Sequence, residues 1–364
     1  MSKSCVVTGT IWTGDPRNPR AEALRVVDDR IVQVGARSFV APAKDEDVWD
    51  FGSCLVTPGF TDSHIHFGAY ARAGMYPDCG TANSLEELLE FLRAQVKDAA
   101  PGQWIRCVNF IELNWKRPAV PSRLQLDGVA PETPLLVSHY GAHFHVANTK
   151  AFELSGLWDS HDPEIERGAD GLPTGRLFDS GADAMIKAVE AQYETNEALM
   201  SFSERALKKL SSMGIVALHA CDAPSYALGE RPDILQDLDE RGALPMRVFL
   251  YHDELPNFAI RSGAGLSGGH IAYAGLKLFA DGSLGARTAA LNEPYSDKDD
   301  ECGRLLYTDE KLMEKLRAAQ KRRIQVQVHA IGDAANEQVV RCMEAVQREL
   351  GRPTFSYRLN HAIV

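Results

Sequence analysis

The sequence has no Cys-x-x-Cys pair, and its seven cysteines, at positions 5, 54, 79, 107, 221, 302 and 342, are scattered and odd in number. That argues against a disulfide framework and a thiolate zinc site, and it fits the reducing cytosol, so a cytoplasmic location is expected. A block of basic residues is also missing. With 39 Lys and Arg against 50 Asp and Glu the net charge is −11, so neither a nucleic acid nor an anionic membrane is an expected partner. No apolar run approaches the ~18 residues that span a bilayer, and Met-Ser-Lys-Ser-Cys-Val-Val at the start lacks the apolar core of a signal peptide. What is present is 364 residues, 45% of them hydrophobic, enough for a large core and for one big domain or two ordinary ones. The expected partner is a small-molecule substrate, with a homo-oligomer left open.

The most informative stretch is Pro58-Gly59-Phe60-Thr61-Asp62-Ser63-His64-Ile65-His66-Phe67. It follows Cys54-Leu55-Val56-Thr57, which reads as the end of a buried strand turning into a loop. Side chains two apart on a strand point the same way, so His64 and His66 converge with Ile65 behind them. Two neutral imidazoles at a strand end suit a divalent transition metal; two histidines meeting near a turn by chance is the alternative.

Before this stretch, residues 4–57 read as short strands, with Asp28-Asp29 as a tight turn. Beyond it, Ser84-Leu85-Glu86-Glu87 is a capping box, and Leu85, Leu88, Leu89, Leu92 and Val96 form one apolar helical stripe. The segment 135–148 holds three histidines at odd positions, a pattern that would suit a second metal cluster but is discounted because no carboxylate or cysteine completes it. Gly171 to Arg176 reads as a turn-rich loop. From Asn196 helix and strand alternate: a helix to Met213 stopped by Gly214, then strands at 215–220, 246–251 and 271–280. Such units imply a parallel sheet, of which a barrel is one closure. In Ile324-Gln325-Val326-Gln327-Val328-His329 the β-branched residues share the face that outer helices would cover, and His329 points inward at the strand's carboxyl end. A helix over 333–350 follows, then a strand over 357–361 that again ends in histidine, His361. Lys277 stands inside the apolar run Gly275-Leu276-Lys277-Leu278-Phe279, and a buried ammonium there must be neutral, paired or modified. For His139, His161, His219, His252 and His270 a satisfied, half-buried histidine is the default.

The stretch Pro58–Phe67 resembles the first metal motif of the amidohydrolase superfamily. Gly214-Ile215-Val216, Lys277 to Gly285, Pro294-Tyr295, His329-Ala330-Ile331-Gly332-Asp333 and His361-Ala362 resemble its YtcJ-like, or amidohydrolase 3, branch, which includes N-substituted formamide deformylases. The likeness runs over nearly the whole chain. It implies an α/β fold: a TIM-type (β/α)8 barrel over residues 58–364, incomplete at about six strands, with an insert at about 68–195. Residues 1–57 are then the N-terminal part of a small composite β-sandwich.

The resemblance further implies a divalent metal, one or two ions with zinc first among the candidates, held by His64, His66, Lys277, His329 and His361 on barrel strands one, four, five and six. Lys277 would be carboxylated by CO2 into a bridging carbamate; a salt bridge to a barrel acid is the other reading. The implied reaction is hydrolysis of a carbon–nitrogen bond of a non-peptide amide or formamide through a metal-activated hydroxide. The acid/base Asp of the superfamily, on strand eight, is expected beyond Val364, so the catalytic residue is unknown and the chain reads as a truncated product or one completed by another chain. Asp281 and Asp333 look like loop and helix-cap positions rather than replacements for it. His143, Asp281 and Arg287 are the expected substrate-pocket residues. An inactive amidohydrolase-like fragment, or an isomerase or decarboxylase on the same metals, are the alternatives. In the strand ending at His361, Asn360 replaces the Glu usual in the family and is expected to face away from the metal.

Overall fold

The computed structural model describes residues 3–141, 143–221, 231–256, 262–267 and 269–364. Two compact units separate: Met1–Thr61 with Gly214–Val216, and Asp62–Met213 with Ala217–Val364.

The first unit is a four-stranded sheet of β1 (Ser4–Trp12), β2 (Arg20–Val27), β3 (Arg30–Gly35) and β4 (Asp47–Val56), in the order β3-β2-β1-β4. The turn joining β2 to β3 takes Asp28 to φ 54°, a left-handed conformation that Asp tolerates. Val6, Ala23 and Val40 form a small buried cluster here, with Val7 and Ile11 buried as well. The expected buried strand at 54–57 is corrected: Cys54 and Leu55 lie at the exposed end of β4. The histidine motif rides on a separate strand, β5 (Phe60–Ile65). The break falls at Pro58, which has no N–H to give to a ladder.

In the second unit β5 leads directly into helix α1 (Phe67–Ala73), where a loop was expected. Next come α2 (Leu85–Val96), β6 (Ile105–Phe110), α3 (Arg123–Asp127), β7 (Leu135–His139), β8 (Phe144–Ala147), α4 (Thr149–Ser155), β9 (Ile165–Arg167), β10 (Pro173–Phe178) and α5 (Asp183–Tyr193). This region builds its own five-stranded sheet, in the order β6-β7-β8-β10-β9. Helix α2 packs with Leu88 and Leu92 fully buried and Leu85, Leu89 and Val96 against them, each buried leucine worth about 1.5–3 kcal/mol. Ser84 accepts the Glu87 N–H, while the Glu87 carboxylate accepts from Asn83 rather than closing the box. The turn-rich reading of 171–176 is corrected from Pro173 onward, where β10 begins; Pro is admissible as a strand's first residue.

The remaining elements are α6 (Asn196–Ser212), β11 (Ile215–Ala220), α7 (Pro232–Glu240), β12 (Arg247–His252), β13 (Ala264–Ser267), β14 (Ile271–Phe279), α8 (Asp309–Lys321), β15 (Gln325–Ala330), α9 (Asp333–Leu350) and β16 (Arg358–His361). Gly214, at φ 83°, closes α6, a conformation that costs glycine least. The main sheet runs β16-β15-β14-β12-β11-β5, with β13 antiparallel on β14. Its registers from β11 to β16 are parallel, and β5 joins in the same sense, Phe60 N–H bonding Gly214 O and Cys221 N–H bonding Ile65 O. This is a curled half of a TIM-type barrel. Leu276 and Leu278 of β14 and Val326 and Val328 of β15 bury outward against Leu312 and Leu316 of α8 and Val339 and Val346 of α9. Alternation then turns Lys277, Gln327 and His329 to the other face. Among the described residues no helix is long and apolar enough to cross a membrane.

Candidate metal centre

Four imidazoles meet at the carboxyl ends of the first, fifth and sixth barrel strands. The ring centroids of His64 and His66 lie 5.4 Å apart, those of His64 and His361 4.9 Å, and those of His329 and His361 4.6 Å. Lys277, fully buried on the fourth strand, places Nζ 3.2 Å from His64 Nε2 and 4.7 Å from the ring centre of Phe279. It makes no ion pair with a carboxylate among the described residues, so the salt bridge to a barrel acid is not what the structure shows. His361 sits at φ 77° and Ala362 at φ 46°, two successive left-handed residues that hold the last ring against its neighbours at a cost in backbone strain.

Burial sets the protonation of this group. It pushes His64 down to about 2, His66 to about 4 and His329 to about 3, with the Lys277 charge adding to each. His361 is lowered for the same reasons. Lys277 itself falls to about 8, again by burial. The chemistry of the set is therefore four neutral imidazoles and an amine that gives up its proton readily. His329 Nε2 lies 2.9 Å from the Gly282 carbonyl. A carbonyl only accepts, so Nε2 carries the proton and Nδ1 keeps its lone pair, the arrangement in which a backbone carbonyl orients a metal-binding histidine. These donors suit a divalent borderline ion. Their positions are those of a packed ring cluster: among the described residues no three His, Cys, Asp or Glu side chains are arranged to hold an ion as they stand.

The other expected site residues separate. His143 lines a cavity of about 650 Å³ together with His66 and Phe279. Asp281 does not: its buried carboxylate accepts the backbone N–H groups of Ala290, Ile331 and Gly332 and stands 3.5 Å from His329 Nε2. It ties the loop after β14 to the loop after β15. Burial raises its pKa against the lowering by those three donors. Gly332 permits that junction, since a Cβ there would fall 1.9 Å from Ala290 O. Arg287, outside the cavity as well, pairs with Asp297 at 2.7 Å. Asp333 accepts from the Asn292 backbone and side chain. Asn360 donates to Gln327 Oε1, away from the rings.

The background histidines have ordinary partners: His139 lies 3.3 Å from Glu112, His270 2.7 Å from Asp239, His252 3.2 Å from Asp253, and His219 2.7 Å from Arg358.

Sequence reasoning missed the far wall of the cavity. Arg72 of α1 donates to Glu190 at 2.9 Å and Glu194 at 2.5 Å, and Tyr76 O–H donates to Glu194 at 3.3 Å. On the facing sheet Arg106 Nε donates to Ser138 Oγ at 3.2 Å, and His145 Nδ1 lies 3.0 Å from the same oxygen. Alternation in Trp104-Ile105-Arg106-Cys107-Val108 was the available signal, since it marks Arg106 as sharing one face with Trp104 and Val108.

The family model described as "Amidohydrolase family" matches residues 47–362. YtcJ of Bacillus subtilis, described as an amidohydrolase, is 29% identical over 98% of this chain and 68% of its own. An N-substituted formamide deformylase of Arthrobacter pascens is 29% identical over 100% of this chain and 69% of its own. Among solved structures, an uncharacterized metal-dependent hydrolase of Pyrococcus furiosus superposes with a TM-score of 0.69 at 25% identity, over 98% of this chain and 72% of that one. One of Pyrococcus horikoshii reaches 0.72 at 24%, over 98% and 70%. Barrel strands ending in histidine, a buried lysine between them and a family match that spans most of the residues agree, and the chain belongs to the amidohydrolase family.

Proposed function

We propose that the protein hydrolyses a carbon–nitrogen bond other than a peptide bond, in a small amide or N-substituted formamide, at a divalent metal held by His64, His66, His329 and His361 around Lys277. The supporting observation is the convergence of four imidazoles, all pushed neutral by burial, about an amine that no carboxylate among the described residues neutralises. The ion, when bound, supplies Lewis acidity toward a carbonyl and lowers the pKa of a water molecule from ~15.7 to about 7; zinc suits the donors best. His329 would meet it through Nδ1, since its Nε2 is engaged by the Gly282 carbonyl.

The free amine of Lys277 adds to the carbon of CO2. A nitrogen–carbon bond forms, one electron pair of a C=O bond moves to oxygen, and an N–H proton leaves to water. The carbamate then supplies the anionic ligand the site otherwise lacks. The apolar cavity beside His66 and His143 holds the organic part of the substrate and excludes water from it. Asp281 and Asp333 are committed to backbone N–H groups, so neither carries the proton to the leaving nitrogen. The substrate class named by the Arthrobacter pascens relative, the N-substituted formamides, is the first to screen. All seven cysteines are free thiols, which supports a reducing compartment.

The test is metal content per chain, by elemental analysis of the full-length protein, followed by a screen of formamides and small amides with both products measured. One or two equivalents of metal, lost in His64→Ala and His329→Ala, together with release of an amine and an acid, is the expected result. Folded protein without metal would sink the mechanism, and a product with every substrate atom retained would point to isomerisation.

A further inference from the structure

The cavity next to the imidazoles is largely apolar, walled by Ala69, Ala73, Val108, Ile186, Phe279 and Leu306, yet guanidinium groups are set into it. Two arginines line this space, and they are handled differently. Arg72 is bonded to Glu190 and Glu194, so its charge is matched. Arg106 makes no ion pair with a carboxylate among the described residues, although Glu190, bonded to Arg72, is close enough to feel its charge. Its Nε is held by Ser138 Oγ, and its plane lies 4.9 Å over the ring of Tyr76. Neither Nη makes a hydrogen bond to a described residue. Ser138 is 3% exposed and His145, bonded to it, 2%. A buried polar pair thus fixes a half-buried, cavity-lining arginine by its inner nitrogen and leaves its outer fork without a hydrogen bond to a described residue. That fork matches the two oxygens of a carboxylate in geometry and charge.

We infer that the substrate carries a carboxylate, which docks on the fork of Arg106 while an apolar or aromatic body fills the cavity between it and the imidazole cluster. The inference rests on the hydrolytic reading of that cluster. The substrate class it names is the amide of an apolar chain or ring that ends in a free acid. Asp183 and Glu190 face the same cavity from α5, and they set the competing outcome, an amine-bearing ligand.

The experiment measures binding of 4-phenylbutyrate, 4-phenylbutanol and 4-phenylbutylamine by calorimetry to chelator-treated, full-length protein, so that no ion can itself hold the carboxylate. The carboxylate is expected to bind about tenfold or more tighter than the alcohol, the scale of a charge-assisted pair. Arg106→Gln should abolish that preference while still binding the alcohol, which shows that the cavity is intact; Arg106→Lys should retain part of it. Equal affinity for acid and alcohol in the parent, an unchanged preference in Arg106→Gln, tighter binding of the amine, or no binding of any probe would each overturn the inference. The parent protein separates the two readings: selectivity for the acid in a parent that takes up no metal and hydrolyses nothing would remove the hydrolytic reading and leave the carboxylate site standing, and Lys277→Met should keep that selectivity in either case.

Discussion

Two neighbouring groups of buried charge-bearing side chains solve the same problem in opposite ways. Around Lys277 stand four imidazoles and no carboxylate paired with it among the described residues, and burial lowers every one of these pKa values: Lys277 falls to about 8 and His329 to about 3. Around Arg72 the cation cannot lose its proton, and two glutamates answer it, Glu194 at 2.5 Å and Glu190 at 2.9 Å. Burial still pushes Glu190 up, against the pull of Arg72. The difference separates a site from a brace. A cluster of neutral imidazoles around an amine that is easily deprotonated can take up an ion, whereas a matched pair is complete and holds α1 to α5.

The comparison breaks first, and most heavily, at Arg72. Replacing it by alanine leaves the buried Glu194 carboxylate and the part-buried Glu190 without their hydrogen-bonded cation, and urea unfolding should show a loss of about 3 kcal/mol. Lys277→Met should do the reverse. In metal-free, CO2-free buffer at pH 7 it removes a base whose proton is held at a disadvantage, so stability should be unchanged or higher, by up to about 3 kcal/mol. A loss comparable to that of Arg72→Ala would mean that Lys277 is a paired ammonium.

Acid sharpens the contrast. His329 titrates at about 3 when folded and at the ordinary 6.5 when unfolded. Between those values the unfolded chain binds more protons, so stability rises with pH across the window and is lost as pH falls below 6.5. The stability gap between the parent and His329→Gln should therefore shift against the parent by roughly 1.4 kcal/mol per pH unit from 6.5 toward 5. Denaturation curves at matched pH would show it, and a gap independent of pH would mean that the ring is not held neutral. The smallest effect is expected at Ser138→Ala, which frees Arg106 Nε at about 1 kcal/mol and should weaken, without abolishing, the preference for the acid probe.

Much of the fold was legible because its signals are local. Caps, apolar stripes and the stop at Gly214 lie within one or two turns of the residues they govern, and α2, α6 and α9 run where the periodicity put them. The placement of Lys277 inside an apolar strand was readable for the same reason. The misreadings were non-local. Apolar content at 54–57 suggested burial, but whether a strand is covered depends on what packs on it, and Leu55 is 65% exposed. Asp281 looked like a pocket residue because it follows β14; its backbone donors come from positions 290, 331 and 332, which no local pattern ties to it.

The sequence by itself determined which residues end strands, which face each strand turns inward, and that a lysine and several histidines occupy those inward ends. Only the tertiary structure decided that the sixth strand's His361 comes within 4.9 Å of the first strand's His64. It also decided that Arg72 meets its glutamates across 118 and 122 positions while Arg106 pairs with none among the described residues. Backbone period fixes the direction of a side chain, but which directions meet is set by sheet order and curvature, which come from packing of the whole chain.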